Sequence, residues 1–264
     1  MALSESESLV FMHIPKTGGT TLHRLLKAHF ADELICPERF ARLDAYSVDE
    51  LNGYRFFSGH FDRTNVARIP GSPKIVTLFR EPKARILSLF YYWKSHKWEV
   101  IEAKDLAGPR MAKSMRLLDF LRCPLPGITP NIDNVMTRTL LPQFVVGPNR
   151  EFGMAEELVL AEATAFLDSM ECFGVLEDYE TTVNVIWGQL GWHRPATIPV
   201  TRSRDKFSIY SEMEEVERED ITPEVEQELD RLTRYDRQLY EYAVSRLATR
   251  KSSMPAPAPG RSAA

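Results

Sequence analysis

Between Leu9 and Phe30 the chain reads LVFMHIPKTGGTTLHRLLKAHF, and this stretch constrains the fold more than any other. Leu9–Ile14 is a nearly continuous apolar run, the pattern of a strand buried on both faces of a parallel sheet. Pro15–Thr20 reads as a turn. From Thr21 onward Leu22, Leu25, Leu26 and Phe30 fall on one helical face. Strand, glycine-rich turn and helix together make a phosphate-binding unit. The first turn of a helix presents unpaired N–H groups and the positive end of the dipole. Gly18 and Gly19 let the backbone come close to an anion, Thr17, Thr20 and Thr21 add hydroxyls, and Lys16 adds a mobile positive charge.

This loop departs from the Walker A pattern, in which the lysine follows the glycines. Here Lys16 precedes them, and no glycine stands five residues before a lysine–serine or lysine–threonine pair. A magnesium nucleoside triphosphate is therefore a poor fit to the loop.

Further strands are predicted over Tyr54–Ser58, Lys74–Phe79 and Cys172–Leu176. Helices are predicted over Pro82–Trp93, Met111–Leu121, Ile132–Leu140, Met154–Met170, Tyr179–Leu190 and, as one long element, Pro223–Thr249. The alternation of strand and helix predicts an α/β fold: one P-loop-like parallel sheet with helices on both faces. A length of 264 residues suits one substantial domain rather than two. The expected division is a flexible N-terminus over 1–8, the domain over 9–250, and a disordered Pro/Ala/Ser/Gly-rich tail over 251–264.

Arg80 ends the third predicted strand, and Ser88 lies eight residues on, about two helical turns into the next helix. The arginine fork suits bidentate contact with a phosphate. Two anion sites at neighbouring strand ends match a ligand carrying two separated phosphate groups.

His13-Ile14-Pro15-Lys16-Thr17-Gly18-Gly19-Thr20-Thr21 resembles the 5′-phosphosulfate loop of sulfotransferases that use 3′-phosphoadenosine-5′-phosphosulfate (PAPS). The likeness is nearest to the carbohydrate sulfotransferases related to heparan sulfate 2-O- and 6-O-sulfotransferases, the family 2 type. Arg80 and Ser88 resemble the pair that grips the 3′-phosphate in that superfamily. The resemblance is strong over residues 9–95 and weak beyond them. It implies PAPS as co-substrate, 3′,5′-adenosine bisphosphate as product, no metal, and a hydroxyl acceptor, here a glycan. Lys16 would stabilise the leaving phosphate, and Lys16 to Thr21 with Arg80 and Ser88 would hold the nucleotide. A late loop often covers the cofactor in the superfamily, which points to Arg202 and Arg204 within Thr201–Lys206.

Sulfuryl transfer also needs a base for the acceptor hydroxyl. His60, after the second predicted strand, is the candidate, because imidazole accepts a proton near neutrality. The competing reading of His60 is a hydrogen-bonded histidine at a strand end. His13, inside an apolar strand, reads as structural. Arg85 reads equally as a solvated or salt-bridging side chain and as a ligand contact, and Asn131 and Arg138 as helix surface. Tyr91, Tyr92, Trp93 and Trp98 could line a sugar cleft, with core packing expected for at least two of them.

Two rival functions share the loop: a P-loop-like kinase using ATP, and a non-catalytic nucleotide-binding module. The balance of 33 basic against 37 acidic residues argues against a nucleic-acid binder. Cys36, Cys123 and Cys172 fit neither a metal site nor a C-x-x-C motif and read as buried, inert thiols of a reducing cytoplasm. No apolar run of membrane-spanning length occurs, and the acidic start is unlike a signal peptide, so an unanchored protein is expected.

Overall fold

A computed structural model of the chain describes residues 3–4, 7–147, 149–195, 197–198 and 211–253. At its centre lies a four-stranded sheet of β1 (Leu9–Met12), β2 (Phe56–Gly59), β3 (Lys74–Phe79) and β4 (Cys172–Val175). The spatial order is β2-β1-β3-β4, and every pairing is parallel. This is the α/β architecture that the sequence predicts. All four residues of β1, β2 and β4 are buried, which explains why β1 and β4 read as apolar runs.

The order fixes where a ligand can bind. The chain leaves β1 towards β2 on one side and leaves β3 towards β4 on the other. The C-terminal ends of β1 and β3 therefore flank a point where the winding reverses, the usual binding crevice of an open α/β sheet.

Seven helices matter to the site and its support: α1 (Gly19–Lys27), α2 (Pro82–Lys94), α3 (Val135–Leu140), α4 (Glu156–Ser169), α5 (Tyr179–Leu190), α6 (Pro223–Leu232) and α7 (Arg234–Ser253). Helix α2 starts with Pro82 at its first position, and the Glu81 carboxylate accepts from the Lys83 and Ala84 N–H groups. The strands pack with α1, α3, α4, α5 and α7 in the main core, and a second core joins α2 and α6 to shorter helices through Phe90, Phe120 and Leu229. The three cysteines are buried free thiols.

Three predicted helices are each divided. Met111–Leu121 becomes Ala107–Ser114 and Leu117–Arg122. Ile132–Leu140 becomes Thr129–Ile132 and α3, parted at Asn134, whose φ of 45° is left-handed. The long C-terminal helix divides at Thr233 into α6 and α7. No proline or glycine marks that last break. Its cause is tertiary: Asn134 Oδ1 accepts from the N–H of Tyr235 at 2.8 Å, and the Asn134 N–H donates to Leu232 O at 2.8 Å. One side chain thus caps the new helix, while its own backbone satisfies the old one.

Arg138 and Arg85 correct the surface readings. Arg138 is 0% exposed; it donates to Asp133 Oδ2 at 2.7 Å and to the carbonyls of Asp133, Val145, Arg150 and Glu151. A buried guanidinium is tolerated when its donors are met in this way. Arg85 is also buried and donates to Asn131 O at 3.0 Å. Burial lowers its pKa to about 10, and the nearby Asp236 carboxylate opposes that shift.

Candidate active site

The turn after β1 is built to expose backbone. Lys16 has φ 70° and Gly18 φ 87°, both left-handed. Glycine adopts this geometry without penalty, whereas lysine is strained and must be held there. Gly18 caps α1 and, lacking a side chain, leaves the first-turn N–H groups for a ligand. A Cβ on Gly18 would come 2.5 Å from Leu176, and one on Gly19 would come 2.2 Å from the His13 ring. A side chain is therefore strained at Gly18 by its left-handed backbone and crowded at Gly19 by the His13 ring. The Thr17 hydroxyl turns inward, fully buried, and donates to Ile14 O at 2.9 Å. Thr17 therefore braces the loop with its side chain. Thr20 is half-buried and Thr21 buried in the first turn of α1.

The second anion motif meets the first directly. Arg80, 5% exposed at the end of β3, donates through Nη1 to Lys16 O at 2.9 Å. Ser88 lies half-buried on α2, and one turn further on Tyr92 presents its ring to Lys16, with Nζ 3.7 Å from the ring centroid. Lys16 thus meets Arg80 through its carbonyl and Tyr92 of α2 through its ammonium, beside the C-terminal ends of β1 and β3. The whole loop 201–206, with Arg202 and Arg204, lies outside the described residues.

His60 follows β2, and its Nδ1 lies 2.7 Å from His13 O. Facing a carbonyl, Nδ1 carries the proton, so the neutral ring keeps its lone pair on Nε2. His60 reaches the surface, yet the protein packed around the ring lowers its pKa below the ordinary histidine value. The hydrogen bond to His13 opposes the shift and the Arg39 charge adds to it. His13 stands beside it with ring centroids 4.8 Å apart, and its pKa is pushed down to about 3, first by burial and then by the charges of His60 and Arg39.

Sequence reasoning missed the outer members of this cluster. Arg39 Nη1 lies 2.7 Å from His23 Nε2, and His23 Nδ1 lies 2.9 Å from Ser58 Oγ. Because a guanidinium only donates, His23 accepts through Nε2 and donates through Nδ1. Burial and the Arg39 charge take the His23 pKa down to about 4. The loop carrying Arg39 is fixed to His60, since the His60 N–H donates to Arg39 O at 2.9 Å. Nothing in the sequence marks Arg39; only β1–β2 adjacency and the helical spacing from Thr21 could have put His23 and Ser58 on facing surfaces. Of the four aromatics named from the sequence, Tyr91 is buried in the second core, Trp93 packs against it, Trp98 is 42% exposed, and Tyr92 alone meets a site residue.

Among the described residues, no helix is long and apolar enough to cross a membrane. No protein-family model matches the chain. Over 121 residues the chain is 26% identical to a protein-tyrosine sulfotransferase of Arabidopsis thaliana. That match covers 45% of this chain and spans 23% of the relative's length. The likeness supports the sulfotransferase superfamily at large, and it does not reach the carbohydrate family 2 type.

Proposed function

We propose that this protein transfers a sulfuryl group from PAPS to an acceptor hydroxyl, on a carbohydrate. The observation that carries the reading is the 2.9 Å hydrogen bond from Arg80 to Lys16 O, which unites the two anion motifs in one crevice. A nucleotide with both a 5′ and a 3′ anionic group needs such paired sites, and ATP does not. The donor set also fits: first-turn amides, Lys16 and Arg80 offer hydrogen-bond donors and positive charge.

In this reading the cradle holds the 5′-phosphate and Arg80 with Ser88 holds the 3′-phosphate. Lys16 meets the charge that grows on the leaving phosphate. His60 takes the acceptor proton on Nε2, with Nδ1–H anchored on His13 O. Positioning and electrostatics supply most of the rate, as in phosphoryl transfer. Arg202 and Arg204 remain part of the proposal as a cover for the nucleotide.

A second reading keeps the chemistry and changes the acceptor to a tyrosine hydroxyl, favoured by the name of the Arabidopsis relative. The test is transfer of labelled sulfate from PAPS to a panel of glycans and tyrosine peptides. Calorimetry with 3′,5′-adenosine bisphosphate and with ATP runs beside it. Preference for ATP would return the kinase reading. Bisphosphate binding without transfer to any acceptor would return the non-catalytic module.

A further inference from the structure

Lys16 is held in three ways. Its φ of 70° is a conformation a lysine does not adopt unaided. Arg80 fixes its carbonyl at 2.9 Å. Its ammonium lies 3.7 Å from the centre of the Tyr92 ring. The first two constraints set the backbone, and the third acts on the reactive end of a side chain with four rotatable bonds. Left to itself, such a side chain loses rotamer freedom when it is fixed.

The ring that receives the ammonium is itself braced. His96 packs edge-on against Tyr92, with centroids 5.0 Å apart and planes at 82°. His96 is 7% exposed, and its Nδ1 is 2.9 Å from Tyr92 O. Tyr92 also stands on the same stripe of α2 as Ser88, four residues earlier and so one turn away. The ammonium is thereby kept over the helix face that carries the second half of the nucleotide grip.

We infer that Tyr92 is a positioning residue for Lys16: its ring preorganises the ammonium at the crevice, so that the charge need not be gathered from solution as the leaving phosphate develops. The inference rests on the sulfotransferase reading for the role of Lys16, and on geometry alone for the role of Tyr92. The ring, not the phenolic hydroxyl, carries the effect.

The test is a double-mutant cycle in the full chain, with Tyr92→Leu and Tyr92→Phe each made in the native and Lys16→Ala backgrounds. Two quantities are read: turnover of PAPS, and the calorimetric affinity for 3′,5′-adenosine bisphosphate, which needs no turnover. Tyr92→Leu should lower kcat about tenfold while the KM for PAPS moves much less, in keeping with a cation–π contact on a partly buried ring. Tyr92→Phe should rescue most of that loss. In the Lys16→Ala background neither change should add anything, in turnover or in affinity. An equal loss with Lys16 already absent would overturn the inference and make Tyr92 a packing residue, as would failure of phenylalanine to rescue. Native turnover in Lys16→Ala alone would instead overturn the functional reading of Lys16, and absence of bisphosphate binding by the native chain would overturn the sulfotransferase reading itself.

Discussion

Arg80 and Lys16, 64 residues apart in the chain, are joined by one hydrogen bond from a guanidinium to a backbone carbonyl. The residue expected to read the ribose phosphate also shapes the loop expected to read the 5′ group. Lysine at position 80 would keep a charge but lose the planar fork. Arg80→Lys should weaken bisphosphate binding about 10- to 100-fold, the range for losing charge-assisted hydrogen bonds. Calorimetry against adenosine 5′-monophosphate, which lacks the 3′ group, checks it: the loss should be larger for the bisphosphate.

His60→Ala should leave bisphosphate affinity intact and cut transfer by roughly 10²–10⁴, the usual contribution of a general base. The base works unprotonated, and its pKa is lowered from 6.5, so kcat/KM should climb with pH on the acid limb with a midpoint below 6.5. A limb centred above that value, or transfer unchanged in the variant, would remove His60 from the role.

Much of the fold is legible in the sequence, because β1 and β4, buried throughout, leave apolar runs and the helices show their spacing. Lys74–Phe79 and Tyr179–Leu190 match their elements residue for residue. The loop and Arg80 stand out in the sequence as candidates because an anion site would demand particular residue types at strand ends. What escapes is tertiary. The break at Thr233 depends on Asn134, a hundred residues earlier, and leaves no local mark. Arg138 looks like a helix surface until carbonyls from the chain around residues 145–151 surround it. Arg39 and His23 form no motif, and only the folded chain sets them beside His60.

Gly19→Ala tests the cradle by sterics. The new Cβ would lie 2.2 Å from the His13 ring, which itself stacks on Phe11 with centroids 5.3 Å apart and has little room to yield. The expected cost is about 1–3 kcal/mol of stability. Denaturant unfolding should show it, and bisphosphate affinity should fall in the same variant.

His13 and His23 sit near 3 and 4, while unfolded histidine stays at 6.5. Below pH 6.5 the unfolded chain gains protons that the native state refuses, so stability falls as the solution is acidified towards pH 4. The urea midpoint should hold above pH 7 and decline through that window. His23→Asn, which keeps a hydrogen-bonding side chain without the titration, should flatten the decline.

Asp236 is 1% exposed, and its carboxylate accepts from Met136 N, Thr137 N and Thr137 Oγ1, at 3.2, 2.7 and 2.8 Å. Asp236→Ala strips the first turn of α3 of its acceptor and leaves the buried Arg85 charge uncompensated. The expected loss is about 3–5 kcal/mol, read from denaturant midpoints.

The division at Thr233 also bears on how the chain reaches its native state. The middle of the molecule is completed by groups far downstream of it: Asn134 reaches Tyr235 across 101 positions, and Asp236 reaches Thr137 across 99. The chain must therefore be made through Asp236 before the central segment finds its partners. Such long loops slow folding, because their closure entropy is spent before any contact returns it.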